Sequence, residues 1–300
     1  MSPMLLLVAY GTALIVFSLA GGALTQRVVM THTRTQLAMS LVSGLMLGVA
    51  FFHLLPHAVL TLGIDHGLTT VMSWTMLGLI VMLLMLRMLH FHQPEFPTEA
   101  QASCDHDQEH DHAHTHSLAT DESPKPIVPP GVSWKGVLTG LTFHTFIDGI
   151  ALGAALLSAS HGHEQQLVGF GVFLAILLHK PLDAMSIVGL MKASDTTASA
   201  QSKANLLFAF VCPLGAVLFY FYAAHLGTSA EVVIASALAF SAGAFVCIAL
   251  SDLLPEVQFH SHDRVKLTAV FLLGILLAYG MANSTPDHTH TLPTALSSGR

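Results

Sequence analysis

Eight separate runs of mostly apolar residues, each near the length needed to cross a bilayer, constrain this chain more than any other feature. A spanning helix needs about 20 such residues to traverse roughly 30 Å of hydrocarbon. Backbone polar groups in lipid must also be satisfied internally, which leaves helices or closed barrels as the spanning structures. The runs are Met4–Leu24, Leu37–Leu60, Leu68–Phe91, Trp134–Ser158, Gln166–Met191, Ala204–Leu226, Glu231–Leu254 and the short Leu267–Met281, numbered here spans 1 to 8. Composition agrees: 53% of the 300 residues are hydrophobic and 10% charged, where soluble domains carry about 25% charged residues. Gly44, Gly48, Pro56, Pro181, Pro213 and Pro255 fall inside these runs, and membrane helices tolerate them where neighbours re-satisfy the freed backbone groups. The expected fold class is an all-α integral membrane protein of eight transmembrane helices.

Residues 1–91 then carry spans 1 to 3, residues 133–284 carry spans 4 to 8, and 285–300 form a short tail. The first run lacks a basic leading segment and is long enough to span, so it reads as a retained helix and not a cleaved signal. Residues 92–132 are the one long non-membrane segment. They hold His106, His110, His112, His114 and His116 among acidic residues, followed by Pro124, Pro126, Pro129 and Pro130. Such a composition cannot bury a core, and we expect a loop that is disordered until it binds metal. The net charge of −7 comes largely from this stretch, so it gives no reason to expect a nucleic-acid partner. Cys104, Cys212 and Cys247 are scattered, forming neither a disulfide framework nor a CxxC zinc motif.

Orientation follows from the basic residues. Arg27, Arg34, Arg87, Lys125, Lys135, Lys192, Lys203, Arg264 and Lys266 lie in or beside loops 1–2, 3–4, 5–6 and 7–8, while Arg300 alone falls on the other side. The excess of Lys and Arg marks the cytoplasmic face, so both termini are expected outside and the His-rich loop inside. The expected location is a bacterial inner (plasma) membrane.

Four of the spans carry potential metal ligands four residues apart: His53/His57, His144/Asp148, His179/Asp183 and Asp252/Glu256. That spacing puts both members of a pair on one helix face. A charged group at the bilayer centre costs about 2.5–3.5 kcal/mol on insertion scales, so such residues face a polar cavity or a partner. Four pairs converging within one bundle would form a chain of cation sites across the membrane. His225, near the end of span 6, reads instead as a packing residue bonded to a neighbouring helix. Imidazole with carboxylate, and no thiolate, suits Zn²⁺, with Fe²⁺, Mn²⁺, Co²⁺ and Cd²⁺ also open. An oxygen-only set would have pointed to Mg²⁺ or Ca²⁺.

The chain also echoes itself. Gly44–His57 reads GLMLGVAFFHLLPH and Gly243–Glu256 reads GAFVCIALSDLLPE; His144-Thr-Phe-Ile-Asp148 likewise echoes His179-Lys-Pro-Leu-Asp183. In the topology above, each echo joins two spans running in opposite directions. That is the signature of inverted repeats, which in many transporters place the substrate near the midplane.

The span-4 string His144-Thr-Phe-Ile-Asp-Gly149, His179 and Asp183 in span 5, and the HLLPH and SDLLPE strings of spans 2 and 7 resemble the Zrt/Irt-like (ZIP) metal transporter family. The resemblance covers nearly the whole chain, and the His-rich loop between spans 3 and 4 matches it too. It implies uptake of divalent metal into the cytoplasm through a site between spans 4 and 5. His144 and Asp183 would be principal ligands, with Asp148 and His179 sharing or flanking the site. Met46 looks like a soft ligand used by some members, and His53, His57, Asp252 and Glu256 would line the path on the cytoplasmic side. The resemblance also suggests a homodimer. Two positions depart from the family pattern. Thr145 stands where many members have asparagine, and Lys180 where many have an acidic residue bridging a second metal. An ammonium cannot ligate a cation, and its charge can stand in for that second metal. One ion at the midplane is therefore expected.

Three other classes compete. Cation-diffusion-facilitator exporters use HxxxD pairs, but they resemble a six-span core with a soluble metal domain after it. A membrane metalloprotease would want HExxH, which is absent, and a di-iron oxidase would want several clustered histidine boxes. A metal sensor would explain the loop and leave the paired ligands of the spans without a purpose. A transporter, and not an enzyme, is the reading the sequence favours.

Overall fold

The computed structural model describes residues 3–27, 32–88, 133–158, 166–259 and 264–283, and for 252–259 the backbone helix only. Among them every regular element is helical, and eight helices are long and apolar enough to cross a membrane. Span 1 is Pro3–Arg27, span 3 is Ile64–Met88, span 4 is Trp134–Ser158 and span 5 is Gln166–Ala193. Span 6 is Ala198–Ala224, span 7 is Ala230–Phe259 and span 8 is Arg264–Asn283. The short last run is thus a full-length span, because the helix starts on basic residues that hydropathy alone left out. The His-rich loop, His161, His163 and the C-terminal tail with His288 and His290 lie outside the described residues.

Span 2 is not one uniform helix. It runs His32–Val49 as α-helix, passes through a π-helical turn at Ala50–Leu54, and resumes as Leu55–Leu62. The Leu55 N–H reaches back five residues to the Ala50 carbonyl. Pro56 supplies the physical reason: it has no N–H, and its ring would press on the carbonyl four residues earlier. Widening the preceding turn is a known way to absorb that defect within a helix. The turn contains His53. Gly63 ends the span in a left-handed conformation (φ 78°) that a side chain would strain, and span 3 begins at once.

Burial divides the spans sharply. Of the most apolar stretch of span 4, 72% is buried, against 17% in spans 3 and 8. Spans 2, 5 and 7 are interior like span 4, while spans 1 and 6 are peripheral like 3 and 8. All four ligand pairs therefore lie on the four interior helices. Leu83, Leu84, Leu207, Leu218, Leu272 and Leu276, on the peripheral spans, present large apolar side chains outward, as a lipid-facing surface requires.

The helices pack as two groups of four, spans 2, 3, 7 and 8 in one and spans 1, 4, 5 and 6 in the other. The most extensive contacts are 2 with 8, 2 with 7, 3 with 7, 4 with 6, and 1 with 5. This list maps onto itself when span 1 is exchanged with 6, 2 with 7, 3 with 8, and 4 with 5. The crossing points follow the same exchange. A Cβ on Gly44 would strike the Phe271 carbonyl and one on Gly274 the Leu41 carbonyl, which brings spans 2 and 8 into backbone contact. In spans 7 and 3, Gly243 meets the Thr75 carbonyl and Gly78 the Phe240 carbonyl in the same way. Only glycine permits approaches this close, and small residues at such crossings are how membrane helices gain packing without a hydrophobic drive.

Candidate metal centre

His144 and Asp148 lie near the middle of span 4, and His179 and Asp183 near the middle of span 5. The two helices touch, and span 4 is pinned from behind by span 6, where Gly149 abuts the Cys212 carbonyl and a Cβ on Gly215 would come within 2.7 Å of the Phe146 carbonyl. The four-residue spacing aims each pair off one face, and the two faces meet. His144, Asp148 and His179 are buried, while the Asp183 side chain keeps 14% of its surface exposed. Among the described residues these four form the one group of three or more His, Cys, Asp or Glu side chains able to hold a metal ion, each offering an atom within 4.8 Å of the others.

The distances have a consistent logic. His179 Nδ1 lies 2.8 Å from the Ala175 carbonyl one turn back, and a carbonyl can only accept, so Nδ1 carries a proton. In a neutral ring Nε2 is then a lone pair. It points at Asp148 Oδ2, 3.1 Å away, to which a doubly protonated ring would donate, and at Asp183 Oδ2, 3.8 Å away. On the other side, His144 Nδ1 stands 3.5 Å from Asp148 Oδ1, and both atoms are buried with no hydrogen-bond partner. Burying such atoms unpartnered costs about 1–3 kcal/mol each. Lone pairs facing one another at these separations ask for a cation between them. A tetrahedral ion with about 2.0–2.1 Å bonds to nitrogen and oxygen sets its ligands about 3.4 Å apart, a spacing these contacts bracket. The imidazole rings lie 5.5 Å apart, centroid to centroid.

A built-in cation completes the cluster. The Lys180 side chain is buried, and its Nζ donates to Asp148 Oδ2 at 2.8 Å, Thr145 Oγ1 at 2.9 Å and Asp183 Oδ2 at 3.4 Å. It also sits 5.6 Å from the centre of the Phe208 ring on span 6, within cation–π range. An ammonium has three donors, and here it meets three acceptors. Both positions that depart from the family pattern, Thr145 and Lys180, are thus bonded to each other.

The remaining ligand candidates are elsewhere. Met46 is buried in the main apolar core of the bundle. His53 is buried on the π-helical turn, its Nε2–H donating to the Ala278 carbonyl of span 8 at 3.1 Å. His53 also packs on Gly171 of span 5, where a Cβ would come within 3.1 Å of the ring. His57, one turn on, is half-buried with Nδ1 unpartnered. The side chains of Asp252 and Glu256 lie outside the described ones. His225 is exposed and bonds the Phe221 carbonyl of its own helix at 2.6 Å, not a neighbouring helix as expected, because it caps the end of span 6. Sequence reading did not anticipate Phe208 or the Ala278 carbonyl. Nothing local marks either, since both come from helices remote in the chain. The Ala175 carbonyl was open to inference, being four residues before His179.

Comparison with known proteins gives the following matches. The family described as ZIP Zinc transporter matches residues 4–282. Zinc transporter ZIP9-B of Xenopus laevis is 34% identical over 133 residues, covering 42% of this chain and 41% of the relative. Zinc transporter ZIP9 of Macaca fascicularis is 34% identical over 131 residues, covering 42% and 52%. Zinc transporter foi of Drosophila melanogaster is 30% identical over 151 residues, covering 50% and 19%. The chain thus spans about two fifths to one half of the ZIP9 relatives it matches. All three are animal proteins, so they lend no support to a bacterial inner membrane.

Proposed function

The chain belongs to the ZIP zinc transporter family, and from that premise we propose that it carries a divalent metal ion, Zn²⁺ first, across a membrane through the cluster between spans 4 and 5. The observation that carries this reading is the pair of buried, unpartnered atoms His144 Nδ1 and Asp148 Oδ1, facing each other beside the His179 lone pair. Packing alone gives no reason to bury them so; a coordinated cation gives one.

The partly exposed Asp183 carboxylate receives an arriving ion, which sheds water as it gains the two imidazoles and Asp148. Rocking of the group formed by spans 1, 4, 5 and 6 against the group formed by spans 2, 3, 7 and 8 then turns the site to the other face. His53 and His57, with Asp252 and Glu256, offer the ion its next ligands on leaving. The matched crossings of spans 2/8 and 7/3 support two halves in inverted repeat, an arrangement that suits a single site reached alternately from each side. Transport runs into the cytoplasm, with both termini outside. Lys180 already neutralises one carboxylate charge, so the site holds one ion.

The test is ⁶⁵Zn²⁺ flux in proteoliposomes, comparing wild type with His144→Ala and Asp183→Ala at equal reconstitution. Saturable flux in wild type alone supports the reading. Equal flux in all three removes the site, and no flux in any removes zinc transport.

A further inference from the structure

Lys180 holds the two carboxylates a transported ion would need, yet it cannot be a ligand itself. We propose that Lys180 is a tethered competitor: its ammonium weakens the site's grip on the ion enough for the ion to leave. The inference rests on the proposed metal site and concerns a different property, the balance between capture and release.

The geometry carries the argument. Asp148 is divided between two duties, with Oδ2 taken by Lys180 Nζ and Oδ1 facing His144. Asp183 Oδ2 is shared in the same way, 3.4 Å from the ammonium and 3.8 Å from His179 Nε2. A carboxylate has about four lone-pair sites, so both oxygens of Asp148 can serve a metal and an ammonium at once. The cost is electrostatic. With ionised carboxylates and neutral imidazoles, the empty cluster carries a net single negative charge, and a bound divalent ion turns it to a single positive one. Repulsion between ion and ammonium, a few ångströms apart in a buried site, is screened far less than in water. A site of two imidazoles and two unopposed carboxylates would instead resemble a closed structural zinc site, which holds its ion.

Thr145 is what keeps the competitor in check. It takes one of the three ammonium protons at 2.9 Å, drawing Lys180 partly away from the carboxylates. The two residues should therefore act in opposite directions on affinity. Lys180→Met removes the charge at similar length, whereas Thr145→Val leaves the ammonium with the carboxylates alone.

The experiment is equilibrium binding of ⁶⁵Zn²⁺ to the purified full chain, read as the component that His144→Ala removes so that binding by the His-rich loop is subtracted, with flux measured on the same preparations. Lys180→Met is expected to lower Kd about tenfold or more while reducing flux at saturating zinc. Thr145→Val is expected to raise Kd severalfold. A purely structural role would weaken binding in both variants, and that result overturns the inference, as does an unchanged Kd in Lys180→Met. Should Lys180→Met fail to fold by size-exclusion chromatography, Lys180→Gln takes its place with the same expected fall in Kd, and unchanged or weaker binding there overturns the inference. Wild type that binds no zinc, or His144→Ala that binds as wild type does, would overturn the metal site and this inference with it.

Discussion

His144 and His53 begin alike: each is a buried imidazole on an interior span, with a second potential ligand four residues on. Their surroundings differ completely. His144 faces a carboxylate it does not hydrogen-bond, 5.5 Å from a second imidazole and within a cluster containing another carboxylate and an ammonium. His53 has spent Nε2 on a backbone carbonyl of span 8, and its ring rests on a glycine of span 5. Four-residue spacing supplies a ligand face. A site arises only where two such faces meet with complementary chemistry and too few internal partners. Spans 4 and 5 meet that condition; in span 2, His53 is already committed to a backbone carbonyl.

The comparison breaks most readily at its strong end. His144→Ala and Asp183→Ala should each cut zinc flux about a hundredfold or more, to the background of empty liposomes, if coordination by the cluster is obligatory. Asp148→Asn should do the same and also destabilise the protein. It leaves Lys180 buried without its closest counter-charge, and breaking a buried pair costs about 3–5 kcal/mol; thermal unfolding in detergent would read it. His53→Ala should reduce flux severalfold with saturation retained, since a relay residue affects rate more than the obligatory site does. Flux lost as fully as in His144→Ala would erase the distinction. Gly44→Leu and Gly243→Leu should each destabilise by about 1–3 kcal/mol, by forcing apart matched helix crossings. Unequal effects at those two positions would weaken the correspondence between the halves. Met46→Leu should have the smallest effect, less than about twofold on flux, because the volume is nearly conserved and the side chain lies in apolar core.

Much of this was legible in the chain. Apolar length alone located eight spans, since lipid offers the backbone few alternatives to a helix. The span-4 and span-5 pairs were legible because helical spacing fixes which side chains share a face. Their convergence depended on which helices touch, and the echo between HTFID and HKPLD hinted at that without giving a distance. The π-helical turn went unread, although Pro56 after two leucines on a histidine-bearing span was its local cause. Basic residues hid the start of span 8, because hydropathy penalises the charges that anchor a helix at the membrane surface. Least legible was the full role of Lys180. Its sequence position allowed pairing with Asp183 one turn on, but three acceptors from two helices around one ammonium emerge only from the packing of span 4 on span 5.

The central claim is that the ion passes through the span-4/span-5 cluster, with the span-2 histidines subordinate to it. The most direct measurement is ⁶⁵Zn²⁺ flux into proteoliposomes containing His144→Ala beside His53→Ala, each expressed as a fraction of wild type at equal protein content. The account predicts background flux for the first and a reduced, saturable flux for the second. Substantial flux through His144→Ala, or flux through His53→Ala as low as through His144→Ala, would contradict it.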